Sequence, residues 1–133
     1  LPKMQNIEIA GKKIYIVHYP TSKFGIYKKF IKSPTLEESE ELFGDVDADI
    51  YIYGHTHIFS KNKSNEKIYL NLEALGCPQK TEVAMVGMLD ITGGNVEYSR
   101  VDVPYDVDKL KEDINKLKYP FYSDLLRIFY GEW

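Results

Sequence analysis

The 133-residue sequence lacks the features that mark several classes of protein. A single cysteine, Cys77, cannot form an internal disulfide, which excludes a disulfide scaffold and fits a reducing compartment. No uncharged apolar run approaches the roughly 18 residues that a membrane helix needs. Seventeen basic and twenty acidic residues give a net charge of −3, whereas binding of nucleic acid through bulk charge requires a basic excess. We therefore expect neither a membrane protein nor bulk nucleic-acid binding.

Short motifs of several well-known enzyme classes are also absent. The sequence contains no Gly-x-x-x-x-Gly-Lys phosphate loop, no Gly-x-Gly-x-x-Gly loop and no Gly-x-Ser-x-Gly nucleophile elbow. The first residues show neither the charged nor the apolar region of a secretory leader, and we expect a cytoplasmic location. Because the chain begins with Leu1 and not with methionine, we expect it to be processed or to be part of a longer protein.

The composition that remains is that of a globular protein, with 44% apolar and 28% charged residues. Apolar runs and alternating patterns bounded by turn residues predict strands first, and helix-period patterns follow at the end of the chain. The predicted strands lie at 7–9, 13–17, 50–53, 58–59, 67–72, 83–91 and 96–103. A change in the phase of the apolar alternation between Tyr98 and Val101 predicts a β-bulge.

Three helices are predicted from capping and breaking residues. The capping box that begins at Thr35 predicts a short helix through about Phe43. Asp106 is predicted to cap a second helix that ends before Pro120, and Ser123 to cap a third. We expect the last two helices to pack against the rest of the domain and to carry no chemistry.

Residues 23–32 combine positive charge with aromatic side chains. The segment contains Lys23, Lys28, Lys29 and Lys32 together with Phe24, Tyr27 and Phe30. We favour the interpretation that it is a solvated loop or short helix whose aromatic side chains turn inward. The alternative is a lid that brings positive charge to an anionic substrate.

All three histidines, His18, His55 and His57, come directly after short apolar strands. Ligands of open α/β sheets gather outside the carboxyl ends of the strands. His55 and His57 are two residues apart, so an extended backbone would place both side chains on one face. Because neutral imidazole is the commonest metal ligand near neutral pH, the three histidines form a candidate metal site. An ordinary role, with each ring hydrogen-bonded to a carbonyl or carboxylate, is equally compatible with this spacing, which does not bring His18 to the other two.

Three segments, taken in order, resemble the C-terminal half of the calcineurin-like metallophosphoesterases. They are Lys-Lys-Ile-Tyr-Ile-Val-His at 12–18, Ile-Tyr-Gly-His-Thr-His-Ile-Phe at 52–59 and Tyr-Leu-Asn at 69–71. The Pro-Tyr-Asp segment at 104–106 and the terminal helices resemble the bacterial and archaeal phosphodiesterase-type branch of this family. The resemblance implies an α/β (α+β) fold, the C-terminal half of a four-layer αββα sandwich with a mixed or antiparallel sheet and two C-terminal helices. Residues 1–103 would form the C-terminal half of the metallophosphoesterase domain, and residues 104–133 its C-terminal packing helices.

The same resemblance implies metal-dependent hydrolysis of phosphate esters by a phosphodiesterase or phosphatase, with nucleotides or dinucleoside polyphosphates among the candidate substrates. His18 and His55 would bind one divalent ion of a binuclear centre, and His57 would bind the other. Histidine ligands favour manganese, iron or zinc over magnesium, and manganese is the preferred ion here. Asn71 and Tyr19 would contact the substrate.

The sequence departs from the family pattern at two places and lacks the motifs of the family's N-terminal half. Tyr19 replaces the glycine that usually follows the metal-binding histidine. Asn-Leu-Glu-Ala at 71–74 replaces Asn-Pro-Gly-Ser, and Glu73 is expected to be solvated. The family's Asp-x-His, Gly-Asp-x-x-Asp and Gly-Asn-His motifs do not occur. We therefore expect a fragment with no catalytic residue of its own, inactive alone, whose partner is the N-terminal half of the same protein.

Two alternatives to the enzyme remain open at this stage. One is a non-catalytic interaction module that has kept the metallophosphoesterase scaffold, which the altered residues at 19 and 71–74 would suit. The other is a mononuclear zinc site on an unrelated β-rich fold, in which three histidines leave the fourth position to water.

Overall fold

The computed structural model describes residues 3–75 and 83–131, so Cys77 lies outside the described residues. The strands and helices of this part of the chain are β1 Met4–Ile9, β2 Lys12–Val17, α1 Leu36–Phe43, β3 Ile50–Tyr53, β4 Ser60–Lys63, β5 Ile68–Asn71, β6 Val83–Thr92, β7 Asn95–Pro104, α2 Val107–Leu117 and α3 Tyr122–Tyr130. None of these helices is long and apolar enough to cross a lipid bilayer.

The first five strands form one mixed sheet in the order β1-β2-β3-β5-β4. Strands β2, β3 and β5 are parallel neighbours, while β1 and β4 pair antiparallel at the two edges. Ile50 and Tyr51 are fully buried because central parallel strands are covered on both faces. The predicted α/β fold with a mixed sheet is confirmed. Its topology brings the carboxyl ends of three parallel strands to one edge of the sheet.

Alternation along the parallel strands separates aromatic from aliphatic side chains on the two faces of this sheet. The aromatic face packs against α1. The buried residues of the cluster that the sheet and the helix form together are Tyr15, Tyr19, Leu42, Phe43, Ala48, Tyr51, Tyr53 and Tyr69. The aliphatic face, with Ile14, Ile50, Ile68 and Leu70 at its centre, packs against side chains of the β6–β7 hairpin. The sheet is therefore a middle layer between one helix and one hairpin.

Helix α1 has the predicted capping box at its N-terminus. The Thr35 Oγ1 accepts a hydrogen bond from the Glu38 backbone N–H at 3.2 Å, and the Glu38 carboxylate accepts one from the Thr35 N–H at 2.8 Å. At the other end the Lys28 ammonium donates to the Leu42 carbonyl at 2.7 Å. A lysine at a helix C-terminus satisfies a free carbonyl and complements the helix dipole. Lys28 thus joins the basic segment to α1.

The strand predicted at 58–59 is displaced to Ser60–Lys63, where the side chains are polar. β4 is an edge strand whose residues alternate between partial burial and exposure, so it needs no apolar run to pair with β5. Its Asn62 side chain donates to the Pro34 carbonyl at 2.7 Å and to Ser39 Oγ at 3.0 Å. These bonds replace apolar packing between β4 and α1.

The β6–β7 hairpin pairs without interruption along its length, so the predicted bulge between Tyr98 and Val101 is wrong. The change of phase has another cause. Val101 lies opposite Val86, and both are exposed on the outer face of the hairpin together with Val103. The apolar residues of β7 therefore lie on the inner face of the hairpin up to Tyr98, where the hairpin covers the sheet, and on its outer face from Val101 onward.

Helices α2 and α3 pack against each other and share a hydrophobic cluster centred on Ile114, Leu126 and Tyr130. The Asp106 side chain caps α2 as predicted, accepting from the Lys109 N–H at 2.9 Å. The predicted cap at Ser123 is wrong. The N-cap of α3 is Phe121, whose left-handed φ of 64° ends the turn between the helices without a side-chain hydrogen bond.

Candidate metal centre

Two of the three histidines stand at the carboxyl ends of adjacent parallel strands. β2 ends at Val17, directly before His18, and β3 ends at Tyr53, directly before the Gly-His-Thr-His element. The Gly54 backbone N–H donates to the His18 carbonyl at 3.0 Å, so strand pairing continues into the motif. The sheet itself therefore fixes the backbone on which His18 and His55 are mounted.

The side chains of His18 and His55 meet. The His18 Nε2 and His55 Nδ1 atoms are 2.9 Å apart, and the two rings are perpendicular with centroids 5.0 Å apart. One nitrogen donates to the other, since a neutral imidazole carries one donor and one acceptor. The spacing of the sequence left this meeting open, and the parallel pairing of β2 with β3 produces it.

His57 does not join this pair in the way the sequence suggested. His55 and His57 have φ values of 75° and 56°, so the assumption of an extended backbone through the motif is wrong. The His57 ring lies against Phe129 of α3, with centroids 5.6 Å apart. Within residues 3–75 and 83–131, no group of three His, Cys, Asp or Glu side chains is arranged to hold a metal ion.

The surroundings of His55 favour its neutral form. Burial lowers the pKa of His55, and the nearby charges of His18 and His57 lower this pKa further. Neutral imidazole is the form that binds metal ions. The electrostatics of the site therefore suit a ligand role for His55.

Three aromatic side chains contact the His55 ring, two from the basic segment and one, Tyr19, from the residue after His18. Phe30 stacks on it with centroids 4.1 Å apart and an interplanar angle of 26°. Tyr27 lies nearly parallel to it at 5.8 Å, and Tyr19 contacts it at 5.6 Å. The sequence did not predict these contacts, because a local pattern does not show which ring the aromatic side chain of a loop will contact.

The basic segment is a loop closed by backbone hydrogen bonds. The Ser22 N–H donates to the Ile26 carbonyl at 2.7 Å, and the Lys28 N–H to the Pro20 carbonyl at 3.0 Å. Phe24 at the tip is 78% exposed, and Tyr27 and Phe30 are 50% and 48% exposed, so the favoured interpretation of inward-turned aromatic side chains is wrong. An open cavity of about 690 Å³ begins at His18 beside this loop.

The two residues predicted to contact substrate, Tyr19 and Asn71, are both fully buried. The Tyr19 hydroxyl donates to the Lys29 carbonyl and accepts from the Ile31 N–H, each at 3.0 Å. The Asn71 side-chain amide donates to Thr56 Oγ1, between the two histidines of the motif, at 2.7 Å. Tyr19 thus holds the backbone of the basic segment, and Asn71 holds the Thr56 side chain between His55 and His57.

Residues 1–94 match the family model of the calcineurin-like phosphoesterase superfamily domain. The chain belongs to this family. Its members are metallophosphoesterases, which hydrolyse phosphate esters with the help of divalent ions. Helices α2 and α3 lie beyond the matched residues.

Solved structures show the same fold for this calcineurin-like phosphoesterase chain. A hypothetical protein from Pyrococcus horikoshii matches 97% of the chain with a TM-score of 0.76 and 14% identity. A predicted phosphoesterase from Streptococcus pneumoniae matches 78% with a TM-score of 0.54 and 17% identity. An archaeal phosphodiesterase matches 76% with a TM-score of 0.50 and 21% identity. No curated protein sequence matches the chain significantly.

The chain spans only part of the length of these structures. It covers 50% of the Pyrococcus protein, 51% of the archaeal phosphodiesterase and 57% of the Streptococcus protein.

Glu73 is neither solvated nor part of the histidine cluster. Its side chain is 13% exposed and pairs with Arg100 of β7 at 3.3 Å. Arg100 in turn makes a forked pair with Asp102, at 2.6 and 3.0 Å. The expectation of a solvated Glu73 is wrong, and its role is to join the end of β5 to the hairpin.

The histidine pair fits one part of a divalent-metal site. Two imidazole nitrogens, each about 2.0–2.1 Å from one ion, lie roughly 3 Å apart, and the His18 and His55 nitrogens are 2.9 Å apart. The donor type suits manganese, iron or zinc. Carboxylate ligands are not among the described residues near this pair.

Proposed function

We propose that this chain supplies the histidine ligands of a metal-dependent phosphoester hydrolase. The observation that carries the proposal is the approach of His18 Nε2 to His55 Nδ1 at the carboxyl ends of two adjacent parallel strands. Membership of the calcineurin-like phosphoesterase family supports the reaction class.

In this proposal His18 and His55 hold one divalent ion, and His57 holds a second one. A bound divalent ion polarises a phosphoryl oxygen and lowers the pKa of a bound water. The chain's own contribution is to favour the neutral form of His55 and to bring two imidazole nitrogens within 2.9 Å of each other. Manganese is our preferred ion, with iron and zinc as alternatives of the same donor preference.

The substrate is proposed to be a small phosphomonoester or phosphodiester, such as a nucleotide or a dinucleoside polyphosphate. The cavity beside His18, about 690 Å³, is lined by residues of β1 and β2 as well as by the basic segment, so in this proposal the N-terminal half would close one side of it. Tyr19 and Asn71 would act on the substrate through the loop and the turn that they hold, because both side chains are buried.

The partner is proposed to be the N-terminal half of the same protein, which would add the carboxylate ligands. β1 has one strand partner, β2, among the described residues, and its Met4 and Ile9 side chains are about half exposed. The outer face of the β6–β7 hairpin exposes Val86, Met88 and Val101. In this proposal the N-terminal half would bury both of these apolar surfaces. The chain covers about half the length of its structural relatives, which agrees with a missing half of similar size.

A second candidate is a non-catalytic interaction module on the same scaffold. The observation that favours it is the packing of His57 against Phe129, which engages one of the three candidate ligands with an apolar ring. In this alternative the exposed hairpin face would bind another protein and the site would hold no metal.

The test compares metal content and hydrolysis of bis(p-nitrophenyl) phosphate in the full-length protein purified with manganese. His18→Ala and His55→Ala should each lose one ion, and His57→Ala the other. Each should lose more activity than the roughly 10- to 100-fold that removal of an outer-shell partner costs. Lys116→Ala, on the exposed side of α2, is the matched control and should keep both properties. Metal-free, inactive wild-type protein would favour the interaction module.

A further inference from the structure

We propose that Phe30 is a positioning residue that fixes the orientation of the His55 imidazole beside His18. The inference rests on the proposed function and extends it to a side chain outside the histidine motif. Its basis is the stack between the Phe30 and His55 rings, with centroids 4.1 Å apart and planes 26° apart. A stacked aromatic pair contributes orientation beyond the area that it buries, and the outer side of the Phe30 ring remains in solvent, since the residue is 48% exposed.

His55 needs such a support because its own backbone and side chain leave the ring undefined. The terminal torsion of a histidine side chain is broad, so neighbouring atoms decide the plane of the ring. His55 also has a φ of 75°, in a region that residues other than glycine seldom adopt. A backbone in this conformation persists only where the surroundings hold it.

Phe30 can serve as a support because Tyr19 holds the backbone on both sides of it. The Tyr19 hydroxyl donates to the carbonyl of Lys29 and accepts from the N–H of Ile31. The Tyr19 ring packs edge-on against Phe30 with centroids 5.0 Å apart. Because Tyr19 is fully buried, this clamp is anchored in the aromatic core of the sheet.

This arrangement gives a physical reason for Tyr19 directly after His18. A glycine at that position could neither hold residues 29–31 nor contact Phe30. The side chain that departs from the family pattern is therefore the anchor of the His55 support. The two positions act as one unit, with Tyr19 as the anchor and Phe30 as the contact.

The same loop offers a matched control in Phe24. Its ring is 78% exposed and lies under the Lys23 ammonium at 5.2 Å. Phe24→Leu and Phe30→Leu make the same chemical change within one loop, but only the second removes a ring from His55. Phe30→Tyr keeps the ring and is the rescue variant.

The first measurement is the nitrogen-15 NMR spectrum of the histidine side chains in the metal-free full-length protein. In wild type, Phe30→Tyr and Phe24→Leu, we expect fixed tautomers for His18 and His55, and a cross-peak between the aromatic ring protons at position 30 and those of His55. In Phe30→Leu we expect averaged tautomers with an unchanged fold by circular dichroism. Fixed tautomers in a folded Phe30→Leu protein would overturn the proposal.

The second measurement is Zn²⁺ affinity by competition with a chromophoric chelator, using the full-length protein. Phe30→Leu should weaken binding roughly tenfold, the lower end of what the loss of outer-shell support costs, and Phe30→Tyr should restore it. Unchanged affinity in Phe30→Leu, with binding abolished in His55→Ala, would refute the positioning role and leave the metal site standing. If wild type binds neither Zn²⁺ nor Mn²⁺, the proposed function fails, and the tautomer measurement still decides the role of Phe30.

Discussion

His55 and His57 are two residues apart in the sequence, yet different parts of the molecule support their rings. His55 contacts Phe30 and Tyr19, which belong to the sheet and its adjoining loop. His57 contacts Phe129, which belongs to the C-terminal helical hairpin. One short motif therefore depends on two separate packing units.

The two supports differ in how they are anchored. Tyr19 is fully buried in the main aromatic cluster, so the His55 environment shares the stability of the sheet. Phe129 is a half-buried member of the small cluster between α2 and α3. Phe30, the ring stacked on His55, is itself 48% exposed, so the deeper burial on the His55 side belongs to Tyr19 and not to the contacting ring.

The largest change is expected from Tyr19→Ala, which removes the anchor on the His55 side. Loss of a fully buried aromatic ring should lower the free energy of unfolding by about 3–5 kcal/mol. Urea unfolding of the chain measures this value. Tyr19→Phe, which keeps the ring and loses the two hydroxyl bonds, should cost about 1–3 kcal/mol. Equal costs for both variants would show that the ring contributes nothing beyond its hydroxyl.

A smaller change is expected from Asn71→Ala, which removes the hydrogen bond to Thr56, the residue that lies between His55 and His57 in the sequence. The variant leaves the Thr56 hydroxyl without its amide donor and should cost about 1–3 kcal/mol. Hydrogen exchange of the amides at 54–57 should accelerate more than that of β3. Uniform acceleration across the sheet would mean that Asn71 supports the core and not the motif.

Phe129→Ala tests the His57 side of the comparison. Removal of a half-buried ring should lower the free energy of unfolding by about 1–2 kcal/mol. The NMR resonances of the His57 ring should move, because it loses its aromatic neighbour, while those of His18 and His55 stay in place. Movement of all three histidines would contradict the separation of the two supports.

The smallest change is expected from Lys116→Ala, which breaks the exposed pair with Glu112 on α2. An i,i+4 ion pair on a helix surface contributes about 0.2–0.5 kcal/mol. Thermal unfolding at low and high salt measures it, and the difference between wild type and variant should shrink as salt screens the pair. A larger loss, accompanied by shifts at His57, would show that the helical hairpin transmits strain to the site.

Much of the fold could be predicted because its elements obey local rules. The hairpin of β1 and β2, the capping box at Thr35 and the buried run at Ile50–Tyr53 follow from turn residues, capping and hydrophobicity. β4 was predicted too early in the chain, at 58–59, because an edge strand held by Asn62 needs no apolar pattern. The bulge predicted between Tyr98 and Val101 was wrong, because apolar residues on the exposed face of the hairpin produce the same change in the apolar alternation as a bulge would.

The candidate site was predictable in its members but not in its geometry. Histidines directly after apolar strands indicated the edge of the sheet where ligands gather. The extended backbone assumed for His55 and His57 was wrong, because left-handed φ values at residues other than glycine depend on tertiary contacts. Phe30 and Phe129 could not be assigned to the site, since a ring contact across the chain leaves no mark in local sequence.

The sequence by itself determined the order of the strands and helices, the capping of α1 and α2 and the three imidazoles that bear on function. These depend on side-chain periodicity and on hydrogen bonds within a few residues. Only the tertiary structure decided that His18 meets His55 and that Glu73 pairs with Arg100. The physical reason is that both contacts join distant parts of the chain, so they form only when strand pairing and the packing of the hairpin bring those parts together.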